Sequence, residues 1–304
     1  LSPLGSLRRS RWARLAKEGS WVVVGQIASV IGALVLVRVL TEYLDPVQYG
    51  QLALGLTLAG LINQVVLVGV TVGIGRFYSI AVEKGGFHSY LCDSRRLLGY
   101  AMIAIVVIGC VLMLTLTASG HSQWRGLALA ALTFSATSGI NAAISGFQNA
   151  ARQRATVAFH SGLDAWLKIL LAMGVIFYVG TSSTAVVIGY AISSLLVTLS
   201  QLFFLRRTIS KQEINDRNKF RCIGEMWAFS WPFSLWGVFT WIQQVSDRWA
   251  LDAFVSTADV GMYAVLFQLG YVPIALVTGL TMTILGPILY QRAVSVADEA
   301  RSAS

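Results

Sequence analysis

Arg38-Val-Leu-Thr-Glu-Tyr-Leu-Asp-Pro-Val-Gln-Tyr-Gly50-Gln-Leu-Ala53 and Arg248-Trp-Ala-Leu-Asp-Ala-Phe-Val-Ser-Thr-Ala-Asp-Val-Gly261-Met-Tyr-Ala264 state nearly the same pattern twice. Each starts at an Arg near the end of an apolar span, passes a short acidic turn and reaches a Gly that opens another apolar run. With a one-residue slip after the Arg, Leu40 matches Leu251, Tyr43 matches Phe254, Gly50 matches Gly261 and Ala53 matches Ala264. Self-similarity at this distance implies two related halves. The pattern restarts just after a polar, charged connection. The expected organisation is therefore an N-terminal six-helix lobe over 1–206, a cytoplasmic connection over 207–225, and the start of a second lobe, two helices long, over 226–304.

Working outward, 56% of the residues are apolar and 12% are charged, a balance suited to lipid contact and not to a water-exposed surface. A helix needs about 20 apolar residues to cross roughly 30 Å of hydrocarbon. Runs of that kind fall at about 20 to 41, 50 to 79, 96 to 118, 124 to 150, 157 to 180, 183 to 206, 226 to 254 and 260 to 290. The fold class is accordingly all-α integral membrane with about eight transmembrane helices, because barrel-like alternation is absent and only helices then satisfy the backbone in lipid. The fifth run reads as the weakest, interrupted by Asp164 and Lys168.

A pI near 9.7 would suggest nucleic acid in a soluble chain, but here the cations alternate between connections. Arg8, Arg9, Arg11, Arg14 and Lys17 precede the first run; Arg76, Lys84, Arg95 and Arg96 flank the second connection; Arg152 and Arg154 flank the fourth. The sixth connection carries another six, and the intervening loops carry almost none. The positive-inside bias thus puts both termini in the cytoplasm and gives the two halves the same topology, related by an axis along the membrane normal. Trp12, Trp21, Trp124, Trp227, Trp231 and Trp249 fall near run ends, where amphipathic rings favour the interface. Cys92, Cys110 and Cys222 are scattered and read as free thiols. The first run is too long for a signal-peptide core, so it stays attached.

The second and eighth runs approach 30 residues, which calls for tilt or a kink, and Pro273 supplies a cause in the eighth. Small residues at four-residue spacing (Gly25, Ser29 and Ala33; Gly69 and Gly73; Ala142 and Gly146) permit close helix contact. The chain begins at Leu1 and a complete second half would require four more helices, so a truncated product is the expectation.

No nucleophile-base set, metal-ligand cluster or nucleotide loop is present, and the three His residues stand apart; neither enzyme activity nor a cofactor or metal is expected. What remains are polar groups within the membrane, which are costly and tend to face a cavity. Arg38 and Arg248, at matching places in the repeat, form a candidate clamp for phosphate; the alternative is that each reaches the interface or pairs with a local acid, Glu42 for one and Asp247 or Asp252 for the other. Asp164 and Lys168 are one helical turn apart and suit either a structural ion pair or a cavity cation tuned by its acid. Gln26, Asn63, Gln64, Asn141, Gln148, Gln243, Gln244 and Gln268 suit an aqueous path or hydrogen bonds between helices.

Arg38-x-Leu-x-x-x-Leu-x-Pro-x-x-Tyr-Gly-x-x-Ala, together with Asp247-Arg248-x-x-Leu-x-x-Phe and Val-Gly-x-Tyr, resembles the Wzx-type polysaccharide flippases of the multidrug/oligosaccharidyl-lipid/polysaccharide exporter superfamily, over roughly 15 to 290. The resemblance implies a two-lobed bundle of about twelve helices that moves an undecaprenyl-pyrophosphate-linked oligosaccharide across the bacterial inner membrane by alternating access, for O-antigen and lipopolysaccharide biosynthesis. It implies a cationic cavity, for which Arg38, Lys168 and Arg248 are the candidates, with Asp164 and Asp247 as possible coupling or ion-pair groups. Implied partners are the lipid-linked glycan, membrane lipids, a polysaccharide polymerase and glycosyltransferases, with no nucleic acid. A multidrug or cation antiporter of the same superfamily, which would want cavity carboxylates, and a non-transporting truncated membrane protein are the alternatives.

Overall fold

The computed structural model describes the backbone over residues 3–210 and 222–302 and most side chains between Ser20 and Thr278. Long helices follow one another through short turns: α1 (Pro3–Tyr43), α2 (Pro46–Ile62), a π-helical turn (Asn63–Leu67), α3 (Val68–Lys84), α4 (Phe87–Ala118), a 3-10 turn (Ser122–Trp124), α5 (Arg125–Ala150), α6 (Arg154–Val179), α7 (Ser183–Ser210), α8 (Ile223–Phe254) and α9 (Thr257–Ser302). No strand occurs among the described residues, and seven stretches are long and apolar enough to cross a membrane. The chain is an all-α, multi-pass integral membrane protein.

Several expectations are corrected. The fifth run, α6, does qualify as a span despite Asp164 and Lys168; the helix outside the seven is α8. Its Trp, Gln and Ser residues dilute its apolar character, together with Glu225, Asp247, Arg248 and Asp252. The third span begins at Phe87, well before 96, so Arg95 and Arg96 lie inside α4 and not in the preceding connection. That connection is only a tight turn: Gly85, at φ 69°, occupies the left-handed conformation that closes α3. The long second span gets its irregularity from the π turn at Asn63–Leu67, a usual cause of helix bending. By contrast, α9 stays helical through Pro273. Most of the 207–225 connection, and the side chains of the N-terminal and C-terminal basic residues, lie outside the described residues.

The turns collect at two ends. At the Asp45 end, the Ser183 N–H donates to Gln48 Oε1 (2.8 Å), joining the start of α7 to the start of α2. At the Gly85 end, Asp93 of α4 is buried and its Oδ2 accepts the Cys222 N–H (2.9 Å), fastening the start of α8. Arg96 lies 3.8 Å from the same carboxylate. Burial, with Asp93 beside it, pushes the Cys222 thiol up to about 12. All three cysteines are free thiols.

Two apolar cores run through the bundle. One joins Leu40, Leu52, Ala131, Val187 and Val260 at the Asp45 end; the other centres on Tyr78, Phe87, Tyr90 and Phe147, whose rings meet edge-on or stacked. At Gly25 and Gly69, from the small-residue stripes, an added methyl would come within 2.7 Å of Ala158 Cβ and 2.5 Å of the Ser230 carbonyl oxygen, so α1–α6 and α3–α8 pack backbone to backbone.

The repeat reappears as a reciprocal contact. A methyl on Gly50 would lie 1.9 Å from the Thr257 carbonyl oxygen, and one on Gly261 would lie 2.1 Å from the Pro46 carbonyl oxygen. The pair is symmetric in sequence, since Pro46 and Thr257 each precede their Gly by four residues. The caps correspond too. Asp45 Oδ1 accepts the Gln48 N–H (2.7 Å) to start α2, and Ser256 Oγ accepts the Asp259 N–H (3.2 Å) to start α9. The first turns of α2 and α9 thus meet glycine to glycine.

Candidate functional site

Behind this joint lies a cavity of about 930 Å³, lined by α1, α2 and its π turn, α5, α6, α8 and α9, with Val68 contributed by α3 and Tyr190 by α7. Its size is near the top of the range for small-molecule sites, roughly 300–1,000 Å³. Ala53 and Ala264, a repeat-matched pair, are both buried and both reach its wall. Of the amides singled out by the sequence, Asn63, Gln64, Asn141, Gln244 and Gln268 line it, whereas Gln148 is buried away from it and Gln26 and Gln243 are exposed. Asn63 also ties helices together, donating from Nδ2 to Ser138 Oγ (3.2 Å).

Two cations face the cavity, and their surroundings differ. Lys168 Nζ is 2.6 Å from Asp164 Oδ2 and sits 5.4 Å from the centre of the Phe134 ring. Asp164 is held in turn by Ser193, whose hydroxyl lies 3.4 Å from Oδ1. This arrangement is a neutralised pair on one helix face. Arg248 has no carboxylate within ion-pair distance among the described residues, and its buried Nε has no hydrogen-bond partner. Its guanidinium lies 5.4 Å from the centre of the Phe267 ring.

The two acids expected to neutralise Arg248 are engaged elsewhere. Asp247 accepts the Tyr263 hydroxyl at Oδ2 and the Arg248 backbone N–H at Oδ1 (2.8 Å), and it does not line the cavity. Asp252 Oδ1 accepts the Thr257 hydroxyl (2.6 Å). Their lone pairs serve the α8–α9 turn and leave the guanidinium unmatched. Arg38, the other half of the expected clamp, is outside the cavity lining: its side chain is 75% exposed and it pairs with Glu42 at 3.0 Å. The structure therefore brings Arg248, Lys168 and Asp164 to one cavity and leaves Arg38 and Asp247 out of it. The slip in the repeat accounts for this, because one extra residue between Arg and turn rotates the side chain by about 100° around a helix.

Phe267, Tyr271 and Trp241, aromatic side chains not singled out in the sequence, complete the wall. Tyr263, Phe267 and Tyr271 recur every four residues on α9, and the Phe267 and Tyr271 rings stack at 5.1 Å. Trp241 faces the cavity while its Nε1 donates to the Thr57 carbonyl (2.7 Å), and Trp249 Nε1 donates to Thr57 Oγ1 (3.1 Å). The four-residue aromatic spacing on α9 was the signal available; in an apolar run it is hard to tell from ordinary core. Among the described residues no group of three metal-ligating side chains occurs.

Fold and cavity together define a polytopic helical membrane protein with an interior chamber whose charged lining, among the described residues, is two cations and one carboxylate. The chain belongs to the polysaccharide biosynthesis protein family, whose profile matches residues 15–291. No curated protein and no solved structure gives a significant match.

Proposed function

We propose that this chain is a flippase acting in polysaccharide biosynthesis. In this reading it moves an undecaprenyl-pyrophosphate-linked oligosaccharide from the inner to the outer leaflet of the bacterial inner membrane, both termini facing the cytoplasm. Arg248 carries the proposal. A half-buried guanidinium on a chamber wall, its Nε buried and without a hydrogen-bond partner, is costly in a membrane unless an anion completes it, and its planar fork suits a phosphate through two parallel hydrogen bonds. The amides and the Phe267–Tyr271 stack fit a polar, flat-faced glycan beside that anion.

Alternating access has support in the reciprocal Gly50–Gly261 contact, a small glycine-to-glycine surface that can part and reseal without disturbing large side chains. An antiporter of drugs or cations would want free carboxylates in the chamber; among the described residues the one carboxylate lining it, Asp164, is held by Lys168. A polymerase and glycosyltransferases, which would consume and supply the glycan, are the expected partners. The test is complementation of surface glycan in a flippase-deficient strain, with membrane levels of each variant measured alongside. Arg248→Gln should abolish display and Arg248→Lys should restore little, since lysine lacks the fork. Normal display by Arg248→Gln would sink the proposal.

A further inference from the structure

Gly237, Trp241, Gln244 and Arg248 follow one another at helical spacing on α8 and form one stripe along it. Trp241, Gln244 and Arg248 line the chamber, while Gly237 packs its backbone on the Gln64 carbonyl of the π turn and leaves no room there for a methyl. Arg248 is the charged member of the stripe, and no carboxylate holds its guanidinium among the described residues. The Phe267 ring supports it from one side, but a ring face fixes a distance and not an in-plane direction. The direction of the fork is therefore set by how α8 is turned about its own axis. Where side chains reach about 5 Å from the axis, a turn of about 20° moves a tip by roughly 2 Å. That is more than two parallel N–H···O bonds can absorb.

Thr57 on α2 meets α8 at two points. Its carbonyl oxygen accepts the Trp241 indole N–H (2.7 Å), and its hydroxyl accepts the Trp249 indole N–H (3.1 Å) while donating to the Leu54 carbonyl (2.6 Å). An indole N–H at membrane depth needs some acceptor, so either bond alone would be ordinary. Two donors, two turns apart on α8, converging on one residue of α2 are a different matter, because sliding or rotating α8 breaks both. Trp249 is also the residue next to Arg248. Thr57 is buried, so both bonds are shielded from water that could replace them.

We propose that Thr57 is a positioning residue for the anion site: through Trp249 and Trp241 it sets the rotation of α8 that aims the Arg248 fork into the chamber. The inference rests on the reading of Arg248 as the group that grips a pyrophosphate. Thr57 itself reaches the chamber wall, yet its hydroxyl proton is committed to the Leu54 carbonyl, so it has no donor to offer a phosphate. Its effect on an anion passes through α8. The position calls for a hydroxyl on a short side chain: serine keeps the acceptor for Trp249, whereas valine keeps the shape and loses it.

Titration calorimetry of the purified protein with farnesyl pyrophosphate reads the aim of the fork as affinity, with the unfolding midpoint of the unliganded protein followed alongside. Thr57→Val should weaken binding by about 3- to 10-fold, the equivalent of one neutral hydrogen bond, and Thr57→Ser should bind like wild type. Trp249→Phe removes the same bond from the other side without altering the buried position, so it should match Thr57→Val, and the double variant should be no weaker than either. In an Arg248→Lys background, where no fork remains to be aimed, Thr57→Val should cost almost nothing further. An equal loss in both backgrounds would make Thr57 a packing residue and overturn the proposal. Binding that weakens in Arg248→Lys but not in Thr57→Val or Trp249→Phe overturns the positioning alone. Failure of wild type to bind the probe overturns the anion-site reading and the positioning with it.

Discussion

The turn from α1 to α2 and the turn from α8 to α9 carry nearly the same sequence pattern, yet only one of them points a cation inward. Both use a side-chain cap, Asp45 or Ser256, and both place a glycine against the other's first turn. At the first, Arg38 faces outward and pairs with Glu42. At the second, Arg248 faces the chamber, and the neighbouring acids are bound by Tyr263 and Thr257. The repeat thus preserves the joint between the helices and not the charge beside it. Close backbone contact tolerates only glycine, while a single residue's slip is enough to turn an arginine from chamber to surface.

The largest effect expected to sharpen this contrast is at the second turn. Arg248→Gln should lower transport by about 10- to 100-fold, the equivalent of one charge-assisted hydrogen-bonding partner worth ~1.5–3 kcal/mol. The measurement is transfer of a pyrophosphate-linked glycan in reconstituted vesicles, and a loss under threefold would erase the distinction between the two arginines.

Next come the glycines. Gly50→Ala and Gly261→Ala each thrust a methyl into a facing carbonyl oxygen, so each should destabilise the fold by about 1–3 kcal/mol. Reciprocity further requires that the two losses be similar and that the double variant fall short of their sum. Thermal unfolding in detergent of the three variants would show it, and strict additivity would argue that the glycines do not share one contact.

A milder change is expected from Tyr263→Phe. Removing the hydroxyl frees Asp247 to turn toward Arg248 and partly neutralise it, so apparent affinity for a pyrophosphate probe should fall severalfold with little loss of stability. Unaltered affinity would mean that Asp247 does not control the charge of Arg248. The smallest effect belongs to the first turn: Arg38→Gln removes an exposed ion pair worth roughly 0–1 kcal/mol and should leave glycan display unchanged at normal expression. Impaired display by Arg38→Gln would restore the symmetric clamp.

Much of the architecture was legible beforehand because membrane insertion writes it in composition. Apolar runs long enough to cross lipid must be helices, so the helical class and the order of the runs followed from hydropathy, while α8 falls outside the seven stretches that qualify. Ends were less legible. The start of α4 carries Asp93, Arg95 and Arg96 and reads as a loop, since nothing local reveals that Asp93 will be buried as the acceptor for the Cys222 N–H at the start of α8. Likewise α8 looks like an ordinary span, yet its Trp, Gln and Ser residues are spent on contacts with Thr57, Gly69 and the chamber.

The sequence by itself determined that this is a helical membrane protein with an internal repeat, a basic charge bias, and a family-level tie to polysaccharide biosynthesis. It also put Asp164 and Lys168 within reach of each other, because residues four apart on a helix share a face, and the structure pairs them. Only the tertiary structure decided which arginine faces the chamber, which acids are already engaged, and that Gly50 and Gly261 meet. Those outcomes depend on helix rotation and on groups brought together from distant parts of the chain. A periodicity of 3.6 residues fixes neighbours within a helix but leaves its azimuth to packing.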